Sequence, residues 1–136
     1  MKEEAKQWTW NDGWILMSIY LVQSKEETTL ADVISAADAT NHAIPTPNEL
    51  SNAFTKLANA QILKIKNNNY KISNEYLGEI EKACKAKGGL FESANKGEKW
   101  LNKSSLEVIK SPKVPVTQEE VENAYKQYTS SLGKKG

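Results

Sequence analysis

The four consecutive residues Thr46-Pro47-Asn48-Glu49 constrain this chain more than any others. A threonine hydroxyl can accept from the backbone N–H three residues on, and a glutamate there can bond back to the threonine N–H. A proline fits between them because the first helical turn has no partner for its missing donor. The string therefore predicts a helix that starts at Thr46. Leu50, Ala53, Phe54, Leu57 and Ala58 follow at the spacing of one buried face, and Asn48, Asn52, Thr55, Lys56 and Asn59 face the other way.

The flanking segments extend the pattern. Upstream, Thr29 and Asp32 form a second helix start, with Leu30, Val33, Ile34 and Ala37 on one face and an end near residues 38–41. Downstream, residues 62–66 and 70–73 alternate across Asn67-Asn68-Asn69. Asparagine tolerates positive φ, so the run predicts a hairpin tip, with Leu63, Ile65, Tyr70 and Ile72 inside and the lysines outside. Residues 14–22 are nearly all apolar, so periodicity does not separate helix from strand. Leu16, Met17 and Leu21 favour a helix, with Asn11, Asp12 or Gly13 as start signals.

The second half reads as helical. Ser73 is a cap for a helix with Tyr76, Leu77, Ile80 and Cys84 on one face and Gly88 as its stop. Residues 90–101 form a further helix anchored by Phe91 and Trp100, and residues 111–115 have the chemistry of an extended linker. Thr117 and Glu120 make another capping box. The apolar stripe Val121, Ala124, Tyr125, Tyr128 and Leu132 follows, fit either to cover the chain's own core or to pair with a second copy.

Composition narrows the classes. The longest apolar run is far short of the roughly 20 residues a membrane helix needs, and the charged start shows no signal peptide. One cysteine, Cys84, allows no internal disulfide, and a reducing cytoplasm is the expected location. It reads as a buried, inert thiol. The single histidine, His42, lacks the companions a metal site requires and reads as closing the turn after the second helix. There is no glycine-rich phosphate loop and no nucleophile–base pairing, so neither catalysis nor a cofactor is expected. The net charge is +1, unevenly spread. Residues 1–60 hold four basic and eight acidic side chains, whereas residues 61–72 hold Lys64, Lys66 and Lys71 and no acid.

The order helix, capped helix, turn, Thr46-Pro47-Asn48-Glu49-Leu50 helix and hairpin resembles the winged helix-turn-helix superfamily of bacterial transcriptional regulators over roughly residues 12–75. The string from Asp38 to Leu50 also looks like one in small bacterial winged-helix proteins. The resemblance implies a mainly α fold with a small β-hairpin wing and a C-terminal helical extension. Residues 1–75 would form the winged core, and residues 76–136 an extension of the same compact unit, able to serve in dimerisation. It further implies that the third helix enters the major groove of double-stranded DNA through Asn48, Asn52, Thr55, Lys56 and Asn59, with Lys64, Lys66 and Lys71 on the wing. Asparagine can read adenine by paired hydrogen bonds, and lysine can neutralise phosphate. The chain departs from the family in two places: its reading helix carries one lysine and no arginine, and Gln61 stands at the usual glycine before the wing. A protein-interaction module on the same scaffold is the alternative these departures leave open.

Overall fold

A computed structural model describes residues 8–23, 27–86, 88–89, 92–103 and 114–134, the last four without their side chains. Leu90, Phe91, residues 111–113 and the side chain of Leu132 lie outside the described residues. The described chain is mainly helical with one small antiparallel hairpin. In order it comprises α1 (Trp10–Val22), α2 (Leu30–Asn41), α3 (Pro47–Asn59), β1 (Leu63–Lys66), β2 (Asn69–Ile72), α4 (Asn74–Cys84), α5 (Ser93–Lys103) and α6 (Gln118–Lys134).

Capping boxes open four of the helices. Thr29 with Asp32 and Thr46 with Glu49 close as expected, each hydroxyl accepting from the third residue's N–H while that residue's carboxylate accepts from the threonine N–H. Thr117 and Glu120 do the same ahead of α6. The fourth box corrects an expectation. α1 begins at Trp10, capped by Thr9, and Asn11, Asp12 and Gly13 are already inside it. Asp12 is the box carboxylate, so its start signal acts from within the first turn.

α2 ends on His42, whose backbone is left-handed (φ 54°) and whose N–H donates to the Asp38 carbonyl at 2.7 Å. α3 ends in a Schellman turn. The Ile62 N–H donates to the Leu57 carbonyl and the Gln61 N–H to the Ala58 carbonyl, each at 3.0 Å. Gln61 thereby holds a φ of 65°, a conformation glycine adopts more cheaply. Asn67 and Asn68, at φ 52° and 64°, form the hairpin turn, and Lys64 pairs with Lys71 and Ile65 with Tyr70 across the ladder. The inner and outer faces of the hairpin follow the alternation read from the sequence.

Trp14, Ile15, Leu16, Met17 and Ile19 place α1 at the centre of the core, with Trp8 just ahead of it, alongside Val33, Ile34, Leu50, Phe54 and Leu57 of α2 and α3. The Trp14 indole N–H donates to the Ala37 carbonyl at 3.1 Å. On its other side α1 lies against α5 more extensively than against any other element. Glycine makes this possible. A Cβ on Gly13 would sit 2.3 Å from the Glu98 nitrogen, and one on Gly97 would sit 2.6 Å from the Gly13 carbonyl oxygen. The two backbones touch, and the Asn102 side chain bonds both the N–H and the carbonyl of Trp8. Ala94, Gly97 and Leu101 fix α5 in the core, and Trp100 is only half-buried. α6 packs on α2 through Val121 and Ala124, and the Tyr128 hydroxyl donates to Asp38 at 3.0 Å. The apolar stripe of α6 therefore covers the chain's own core, leaving Tyr125 exposed. No helix among the described residues is long and apolar enough to cross a membrane.

Candidate nucleic-acid interface

The eight candidate residues divide into two groups. On α3, Asn48, Asn52, Thr55 and Asn59 form one stripe at helical spacing, each roughly one turn from the next. Asn48 is exposed and Asn52 half-buried. Thr55 is buried: its hydroxyl donates to the Ser51 carbonyl at 2.7 Å and accepts from the Val114 N–H at 2.8 Å. Ser51, a turn earlier, donates to the Val114 carbonyl at 2.5 Å. Two α3 hydroxyls thus hold both main-chain groups of one residue in the segment that leads into α6. Asn59 donates to the Thr55 carbonyl at 2.6 Å.

Lys56 is committed as well. Its ammonium pairs with Asp12, which is 1% exposed, and stands 5.5 Å from the centre of the Trp8 ring. Asp12 also accepts the Thr9 N–H at 2.8 Å. The one cation expected on the reading helix therefore neutralises a buried carboxylate of α1. The Asn11 side chain adds a bond to the Glu49 carbonyl at 2.9 Å, seating the start of α3 on α1.

The hairpin group stays outward. Lys64 and Lys66 are exposed on β1, and Lys71 is half-buried on β2 directly across from Lys64. Like charges directly opposite one another in a ladder are unfavourable. Lys64 and Lys71 line an open groove of about 570 Å³ with Gln23, Ile72, Ser73, Asn74 and Leu77. The groove includes the start of α4, where a helix is partially positive. Ser73 does not cap that helix with its side chain as expected, because its hydroxyl donates to the Gln61 carbonyl at 2.6 Å. Glu75 stands in the first turn of α4 and tempers the positive field.

Beneath the lysines the hairpin is apolar. Tyr70 stacks on Phe54 with ring centres 4.8 Å apart, and burial, aided by the Glu120 carboxylate, pushes its phenol up to about 12. Cys84 is half-buried rather than fully enclosed, and that burial raises its thiol above the usual range against the opposing pull of Lys96 and Lys85.

A second basic surface was not anticipated from the sequence. Lys96, Lys99 and Lys103 of α5 border a cleft of about 310 Å³ with Trp100, Ala83 and Ala86. Their spacing of three and four residues was the available signal, hidden because Glu92 and Glu98 dilute the local charge. Lys96 donates to the Cys84 carbonyl at 2.9 Å, at the end of α4. Among the described residues no group of three or more His, Cys, Asp and Glu converges to hold a metal. The chain matches no protein-family model, no curated protein and no solved structure.

Proposed function

We propose that this chain is a non-enzymatic DNA-contacting protein of winged-helix type, and that its hairpin makes the main phosphate contacts. The observation that carries this reading is the outward face of β1 and β2. Three lysines share it, no acid interrupts either strand, and two of the lysines border a groove at the start of α4. On α3, Asn48 is the exposed side chain placed to reach base edges, since Thr55 and Lys56 hold the domain together. Readout by α3 is then secondary to backbone contact, and sequence preference is weak.

Titration of labelled duplex DNA by fluorescence anisotropy tests the reading. Each neutralised phosphate contributes a log–log salt slope of roughly −0.9, so three lysines give a slope of about −2 to −3. Replacing Lys64, Lys66 and Lys71 together with alanine should abolish binding while leaving the fold intact. Undiminished affinity in that variant refutes the role of the hairpin.

A protein-interaction module is the second reading. The covered centre of the α3 stripe favours it, because a groove-reading helix must stand clear of its own chain. Absence of any duplex binding at low salt would decide for it.

A further inference from the structure

We infer that residues 114–116 are an autoinhibitory cover on α3, and that DNA reaches the α3 stripe only when this segment is displaced. The inference rests on the DNA-contacting reading above.

The stripe runs Asn48, Asn52, Thr55, Asn59, and Thr55 near its middle is the residue that bonds Val114. The major groove is about 12 Å wide, close to the diameter of one helix with its side chains, so a second strand alongside α3 prevents full insertion. The cover is a designed fit in its chemistry. Ser51 and Thr55, one turn apart, satisfy the carbonyl and the N–H of Val114, while Val114 and Val116 pack half-buried against the core. Pro115 between them is exposed and keeps the segment extended. Among the described residues the hydrogen bonds that tie the cover to α3 are the two at Val114, and Thr117 beyond it stays with α6 as its cap. The firm anchors of the C-terminal arm lie further on, at Val121, Ala124 and the Tyr128–Asp38 bond on α2. The cover can therefore lift from α3 while α6 stays docked. A duplex that prefers the uncovered state shifts the equilibrium toward it, and weakening the cover lowers the concentration required.

The test compares the full-length parent with Val114→Pro, which removes the donor to Thr55, and with Val116→Ser, which removes an apolar anchor. Neither change touches a proposed DNA-contacting side chain. Circular dichroism and thermal melting establish that each keeps the parental helices, and anisotropy measures duplex affinity at low salt. The expected result is roughly tenfold tighter binding in the released variants. That gain should vanish when Asn48 and Asn52 are also replaced by alanine. Parent and folded variants binding equally would overturn the cover while leaving contact through the hairpin standing. No binding by any of them would remove the DNA-contacting reading and the cover with it. Unfolding of both variants would also overturn it, since a segment that cannot leave without unfolding the domain is a strut.

Discussion

α1 meets two of its helical neighbours, α5 and α3, in opposite ways. Against α5 it brings backbone to backbone through Gly13 and Gly97, where an added Cβ would fall 2.3 Å from a main-chain nitrogen. Against α3 it uses side chains: the Asp12–Lys56 pair and the Asn11 bond to Glu49. The first contact has no slack, because neither backbone can give way without moving a whole helix. The second is a set of replaceable parts, each with its own cost. A helix that packs by backbone contact is fixed in place, whereas one held by polar pairs can have its exposed face altered by local substitutions.

The largest test of this contrast is Gly13→Ala. The new methyl must drive α1 and α5 apart, and the variant should lose more than about 3 kcal/mol in thermal unfolding. A melting temperature close to that of the parent would show that the crossing has room after all. Next comes Lys56→Ala, which leaves Asp12 buried without its cation and should cost about 2–4 kcal/mol in urea unfolding. The double change Asp12→Asn with Lys56→Met should recover part of that loss. If the single variant were as stable as the parent, the Thr9 cap alone would suffice for Asp12.

A third prediction probes how the hairpin holds α3. Tyr70 ionises near 10 in the unfolded chain but at about 12 when folded. The folded state thus resists losing a proton that the unfolded state gives up. Its stabilising contribution is intact below pH 10 and is lost as pH rises toward 12, by up to about 2–3 kcal/mol. Tyr70→Phe should lack this alkaline component, and parallel curves for the two proteins would contradict the assignment. The smallest effect is a gain. Gln61→Gly relieves the left-handed backbone after α3 and should stabilise by about 0.5–1 kcal/mol, measured as a shift in the urea midpoint.

These residues also mark what sequence reasoning could reach. The starts at Thr29, Thr46 and Thr117 and the asparagine turn were legible because each depends on partners within three or four residues. Thr9 is hard to single out from the sequence, because tryptophans flank it and Asn11, Asp12 and Gly13 offer competing start signals. The outward lysines of the hairpin followed from alternation alone. The roles of Thr55 and Lys56 were not legible, since their partners lie 59 and 44 residues away along the chain. Helical spacing says only that such residues leave the main core face, and a polar partner arriving from elsewhere uses the same face. Gly97 was equally silent: within a helix a glycine reads as a weakness until the neighbour it admits is known.

The bond pair between Trp8 and Asn102 closes a span of 94 residues. At ribosomal rates of about 5–20 residues per second, α1 is synthesised roughly 5–20 s before the helix that will cover its glycine face. α1, α2, α3 and the hairpin can associate in that interval, since their helix starts are written locally. Their partial core stays open along α1 until α5 arrives. The nascent chain therefore carries an uncovered α1 face for seconds, until α5 can close over it.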